Sequence, residues 1–269
     1  MRHAPVTPNG DLIRWVEIPG AEPTRLYLHG LGATSPVYWA AAAAHPLLTG
    51  RRSLLLDLIG FGISDRPTDF DYTLEAHADA VAAALEAADV TGAEVVAHSL
   101  GGAVAILLAA RHPRLVSNLV LVDSVLDPAP AVPAPGSSGI TAYTEEEFLE
   151  YGWERTEERV GPVWWSTMRL AGREALYRTT VHRAQGTAPA LREHLAGLSV
   201  PRTCLHPAAD GEPADAAGLR ASGVTLRAIP DCGHNIMFDN PEAFAHAVAD
   251  ALNGGDAPQP RSLPGSQPS

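Results

Sequence analysis

A β-forming tract around Val95 and Val96 runs without a linker into Ala97-His98-Ser99-Leu100-Gly101-Gly102, and an apolar stretch of helical composition continues to about position 110. A residue at so sharp a strand-to-helix turn stands clear of the backbone only if strand and helix nearly touch. That closeness demands small side chains two positions before and two after it. Ala97 and Gly101 meet the demand, with a methyl group at the first where glycine is commoner. A strand feeding a buried helix through a tight turn is one step of a parallel α/β unit.

The same alternation extends along the chain. Strands are predicted at 12–16, after the Asn9-Gly10 turn, and at 25–28, 54–56, 95–96, 118–122, 202–205 and 224–229. Helices are predicted at 74–88, where Ala76, Ala80, Ala83, Ala84 and Ala87 recur at helical spacing behind a Thr73 N-cap, and at 241–252, with Pro241 in the first turn. Strands alternating with helices imply a mostly parallel sheet covered on both faces. The alternation stops at 127–198. A Pro/Ala/Gly/Ser-rich loop at 128–139 opens that stretch, and Thr144-Glu145-Glu146-Glu147 reads as a capping box ahead of Phe148 and Leu149. The expected organisation is an α/β core of residues 1–126 and 199–252, a helical cap inserted at 127–198, and a disordered tail at 253–269.

In an open parallel sheet the carboxyl ends of the strands line the ligand crevice, so residues distant in sequence converge there. Ser99, Asp210 and His234 each lie where a predicted strand ends, and so does Asp123. His29-Gly30-Leu31-Gly32 follows an earlier strand, and its glycines allow the loop to turn the Leu31 N–H toward the same crevice. The N–H of Leu100, just after Ser99, is a second donor so placed.

Together these pieces resemble the serine-nucleophile branch of the α/β-hydrolase superfamily, over residues 10–252. The resemblance rests on Leu28-His29-Gly30-Leu31-Gly32, on Asp57-Leu58-Ile59-Gly60-Phe61-Gly62-Ile63-Ser64-Asp65-Arg66-Pro67, on the turn at Ser99, and on Asp231-Cys232-Gly233-His234-Asn235. It implies an α/β-hydrolase fold with Ser99 as nucleophile, His234 as base, and the Leu31 and Leu100 amides as oxyanion donors. For the acid it favours Asp210, in a tract similar to the family's His-Gly-x-x-Asp but with Pro207 in place of the glycine. Asp123 matches the location used in some branches. Asp57 and Asp65 carry no chemistry in this reading. A serine at 99 argues against the aspartate-nucleophile branches, the haloalkane dehalogenases and epoxide hydrolases. The implied activity is hydrolysis of a small, largely apolar ester or lactone without metal or organic cofactor. Cleavage of a C–C bond, amide or thioester by the same residues stays open, as does a non-hydrolytic lyase or ligand-binding role.

Composition narrows the partners. The chain has 19 basic and 31 acidic residues, a net charge of −12, and every basic residue is arginine. Without lysine there is no Schiff-base chemistry and no phosphate-loop lysine. Abundant alanine beside arginine-only usage reads as the imprint of a GC-rich bacterial genome. The negative charge disfavours nucleic acid and anionic membranes, which leaves a small-molecule substrate. The N-terminus lacks a signal-peptide pattern, the longest apolar run falls far short of the roughly 20 residues of a membrane span, and Cys204 and Cys232 read as buried free thiols; a cytoplasmic protein is expected. Oligomeric state is left unassigned. His98 and His29 are expected to orient or pack, whereas His77 and His246 are expected at the surface. The cap side chains Phe148, Tyr151, Trp153, Trp164, Trp165, Met168 and Tyr177, mostly aromatic, either pack on one another or roof an apolar pocket.

Overall fold

The computed structural model describes residues 1–128 and 137–254; most of the 128–139 loop and of the expected disordered tail lie outside the described residues. The chain runs through β1 (Arg2–Pro5), β2 (Leu12–Ile18), β3 (Ala21–Leu28), α1 (Ser35–Ala43), β4 (Arg51–Asp57), α2 (Leu74–Ala87), β5 (Ala93–His98), α3 (Leu100–Arg111) and β6 (Val116–Val122). Four helices follow: α4 (Glu145–Glu147), α5 (Trp153–Met168), α6 (Arg173–Gln185) and α7 (Leu191–Gly197). The chain then re-enters the sheet with β7 (Arg202–Pro207), α8 (Ala216–Ala221), β8 (Thr225–Ile229), α9 (Ile236–Asp239) and α10 (Pro241–Leu252).

One eight-stranded sheet results, ordered β1-β2-β4-β3-β5-β6-β7-β8. β1 and β2 pair antiparallel, β2 meets β4 antiparallel, and every other pairing is parallel. This is the α/β-hydrolase fold. β1 went unforeseen because a four-residue edge strand with only Ala4 buried carries almost no apolar pattern. Along the inner strands alternate side chains serve opposite faces, as the strand period of two requires. Leu26, Leu28, Leu54, Leu56, Val95 and Ala97 pack on one side, whereas Tyr27, Leu55 and Val96 pack on the other with Trp39 and Phe244. α3 is buried nearly all round, which accounts for its uniformly apolar sequence.

β3 lies between β4 and β5, and the helices that follow β3 and β5 pack on opposite faces of the sheet. Such a switch point opens a crevice between them. The buried carboxylate of Asp57, at the end of β4, braces one wall. It accepts from Thr34 Oγ1 (2.7 Å), Ser35 N (2.6 Å) and Ile63 N (2.8 Å), joining the start of α1 to the loop after β4.

Among the described residues between β6 and β7 there is no strand. Both halves of the Thr144–Glu147 capping box form, and α4 widens into a π-helical turn, Phe148–Gly152, before α5 begins. α5 is broken at Gly161 (φ 73°, ψ 169°), immediately before Pro162. Its first half packs on the cap itself: Phe148 lies against Tyr177 and Trp153, and Trp153 against Trp165. Arg155 and Arg173 lie over the Tyr151 and Trp153 rings within the cap, whereas Arg178 pairs with Glu145 and also donates to Thr68 O and Phe70 O of the core.

The sequence reading of His77 is overturned. α2 buries it completely among Phe61, Phe70 and Tyr72, with Nε2 2.9 Å from Thr179 Oγ1 on α6. An alanine-rich helix shows little polar contrast between its faces, so its sequence did not reveal that the cap covers this side. Cys204 is buried, its thiol pushed up to about 12 by burial, while Cys232 is only half-buried.

Truncating Asp57 to alanine strands three donors in a dry site. Urea unfolding of Asp57→Ala should show a stability loss of about 3 kcal/mol or more.

Candidate active site

Ser99 sits between β5 and α3 with φ 52° and ψ −118°, a backbone conformation that a non-glycine residue adopts only when its surroundings impose it. They do so by close approach. A Cβ on Gly101 would lie 2.5 Å from His29 O and 3.0 Å from Leu28 O, so the first turn of α3 rests on the chain leaving β3. Ser99 N–H donates to Val122 O (3.0 Å), tying the turn to β6 as well.

The chain leaving β3 is organised by His29. Fully buried, its ring has Nδ1 2.7 Å from Gly30 O, and Leu58 N–H donates to Nε2 (3.1 Å). Nε2 therefore accepts and Nδ1 carries the proton, which makes the ring neutral; burial holds its pKa below the usual value. In a trans peptide the C=O and the following N–H point opposite ways. Holding Gly30 C=O toward His29 thus turns the Leu31 N–H away from it. Neither Leu31 N–H nor Leu100 N–H donates to a protein acceptor among the described residues.

His234 lies in the loop between β8 and α9. Its Nδ1 is 2.6 Å from Asp123 Oδ2, and the side chain is 55% exposed, so the ring is open to an incoming molecule. Asp123 follows β6 directly, at φ 41°, with its N–H on Leu205 O (2.8 Å). The acid favoured by the sequence, Asp210, is not on the histidine. After Pro207 the chain winds into a short 3-10 turn, Ala208–Asp210, which leaves the Asp210 carboxylate exposed and without a hydrogen bond or ion pair among the described residues. Asp123 and Asp210 instead share the lining of a cavity of about 150 Å³ with Ser124, His206 and Glu212.

His98, beside the serine, stacks on His234 with ring centroids 4.6 Å apart, and its Nε2–H donates to His234 O (2.9 Å). Thus the Ser99 turn and the His234 loop are physically joined. Ser99 Oγ and His234 Nε2 have no protein partner among the described residues. Across the crevice, Trp164 Nε1–H donates to Leu31 O (2.9 Å), and the Thr167 side chain lies beside the Tyr38 hydroxyl. Tyr38 also stacks with Phe238, which is 44% exposed. Sequence reading placed Trp164 among the cap aromatics and missed Tyr38 and Phe238 altogether. None of the three lies in a motif; only the fold brings them here.

A family model described as alpha/beta hydrolase fold matches residues 26–140. Over that stretch the chain resembles the α/β-hydrolase family, and its sheet has that family's fold. Over 100 residues it is 36% identical to 2-hydroxymuconate semialdehyde hydrolase of Pseudomonas putida, an alignment covering 37% of this chain and 36% of that protein. The chain spans about a third of the length of the curated relatives it matches. Among solved structures, the enol-lactonase from Burkholderia xenovorans LB400 superposes with a TM-score of 0.72 at 21% identity, covering 94% of this chain and 100% of that one. An esterase from Exiguobacterium antarcticum does so with a TM-score of 0.73 at 18% identity, covering 93% and 98%. At these identities the two structures speak for the fold alone.

No described helix is long and apolar enough to cross a membrane. Nor do any three described His, Cys, Asp or Glu side chains form a group that could hold a metal ion.

The buried histidines make the protein sensitive to acid. Burial lowers the pKa of both His77 and His98 to about 3, against 6.5 for a free ring. Below pH 6.5 the unfolded chain takes up protons that the folded chain refuses. Their contribution to stability is therefore whole at neutral pH and falls away between about pH 6.5 and 3. Urea unfolding should show a loss of about 4 kcal/mol from these two rings on going from about pH 7 to about pH 5.

Proposed function

We propose that this chain is a serine hydrolase that cleaves a small, largely apolar ester or lactone through an acyl-enzyme. The observation that carries this reading is Ser99 in its strained turn, joined through His98 to a histidine that holds Asp123 at 2.6 Å. In the proposed reaction His234 Nε2 takes the proton of Ser99 Oγ as the oxygen attacks the carbonyl carbon. Asp123 keeps Nδ1 protonated, so that Nε2 faces the serine as an acceptor, and it stabilises the imidazolium that forms. The Leu31 and Leu100 N–H groups receive the developing oxyanion. His234 then returns its proton to the leaving oxygen, and water, activated by the same ring, releases the acid. The serine–histidine hydrogen bond forms as substrate seats, since such bonds tighten in the reacting complex.

Asp123 replaces Asp210 in this scheme on geometry. The exposed Phe238 stacked on Tyr38, close to His98, supports an apolar group on the substrate. A second reading, hydrolysis of a C–C bond, is favoured by the name of the Pseudomonas putida relative. Amide or thioester cleavage uses the same groups.

Purified protein should hydrolyse activated short-chain aryl esters and be labelled by a fluorophosphonate, and Ser99→Ala should lose both properties. Folded wild-type protein that neither turns over esters nor takes the label overturns the reading. Asp123→Asn should lower kcat by roughly 10³ to 10⁴-fold, while Asp210→Asn should leave it within about twofold; the reverse order would restore Asp210 as the acid.

A further inference from the structure

The Leu31 amide sits in a turn that its own sequence does not fully determine. Ala33 N–H donates to Gly30 O (3.2 Å), which closes a four-residue β-turn over Gly30-Leu31-Gly32-Ala33. Gly32 has φ 65° and Leu31 is not among the residues of positive φ, so the turn is of type II. Types I and II differ by a rotation of the central peptide, here the Leu31 C=O with the Gly32 N–H. Glycine at the third position permits both.

One group outside the loop selects between them. Trp164 Nε1–H donates to Leu31 O at 2.9 Å, across 133 residues of sequence. Two further contacts from the same half of α5 close over the loop. Met168 covers Gly32 so tightly that a Cβ there would come within 2.9 Å of its Cγ and Cε, and Thr167 lies beside Tyr38 on α1. Leu31 is thus held on both sides. The peptide before it is anchored by His29 on Gly30 O, and the peptide after it by Trp164 on Leu31 O.

We propose that Trp164 is a positioning residue for the oxyanion site: its indole N–H fixes the Leu31 turn, so that seating the second half of α5 and assembling the oxyanion donors are one event. The proposal rests on the serine-hydrolase reading. Trp164 touches neither the serine nor the reacting carbonyl in this scheme and acts through Leu31. An interaction that serves only the oxyanion stabilises the transition state more than bound substrate, and its loss therefore appears in kcat rather than KM.

The experiment compares wild type with Trp164→Phe, and with a protein carrying 3-benzothienylalanine at position 164. The second exchanges only the N–H for sulfur and keeps the shape of the ring if the first variant folds poorly. Active sites are titrated with a fluorophosphonate, so that kcat refers to folded, reactive enzyme. The expected result is a fall in kcat of about 10 to 100-fold with KM for the same aryl ester within about twofold. Affinity for an aryl trifluoromethyl ketone, which forms a tetrahedral adduct on the serine, should fall by the same factor as kcat/KM. Unchanged kcat and ketone affinity in the benzothienyl protein, or a loss confined to KM, overturns the proposal. Ser99→Ala, run alongside, keeps the two questions apart: full turnover in that variant would refute the serine-hydrolase reading itself, whatever Trp164 does.

Discussion

The first turn of α3 lies against the chain leaving β3 with no room for a side chain between them, and most of the site follows from that contact. Because Gly101 rests on His29 O, the turn at Ser99 has to be sharp. A sharp turn puts the serine at positive φ and points the N-terminus of α3 into the crevice. The same contact places the loop that carries Leu31 beside the serine. Two backbone amides from segments some seventy residues apart thus come to face one region. The strain at Ser99, typically 1–3 kcal/mol for such a backbone, is borne by the close packing of β3, β5 and α3.

Around this contact buried polar groups hold the backbone dipoles in fixed directions. His29 and His98 are both buried and neutral, and each uses a ring nitrogen to hold a carbonyl, Gly30 O in one case and His234 O in the other. Neither needs a charge to do so, and burial suppresses one. Asp57, equally buried, is held by three donors, with the His29 ring 3.8 Å away. The backbone around the serine is in this way pinned by side chains that cannot easily exchange their partners for water. Such rigidity suits a site meant to receive developing negative charge, because its dipoles need not reorganise during reaction.

Much of this was legible in the sequence. The strand-to-helix turn at Ser99 and the alternation of apolar tracts specify the sheet, since each inner strand buries both its faces. The Thr73 and Thr144 caps were equally plain, because capping depends on residues three apart. Long-range choices were less visible. Asp123 and Asp210 both close strands and are equivalent by pattern; what separates them is the path after Pro207, a property of backbone geometry. His77 was hidden because the helix that carries it is rich in alanine, which marks neither a buried nor an exposed face. Trp164 carried no sign of its partner, for a hydrogen bond to a main-chain carbonyl leaves no residue signature at the other end.

The break at Gly161 gives the cap a division of labour. Upstream of it, Trp153 and Phe148 belong to an aromatic cluster whose partners are all within the insertion. Downstream, Trp164, Thr167 and Met168 answer to the core. The helical hydrogen-bond ladder is interrupted between them, and the Trp153–Trp165 ring contact, with centroids 4.7 Å apart, links the two halves across the break. A change in the upstream cluster therefore reaches the segment that holds Leu31 O through side-chain packing rather than through a continuous helix.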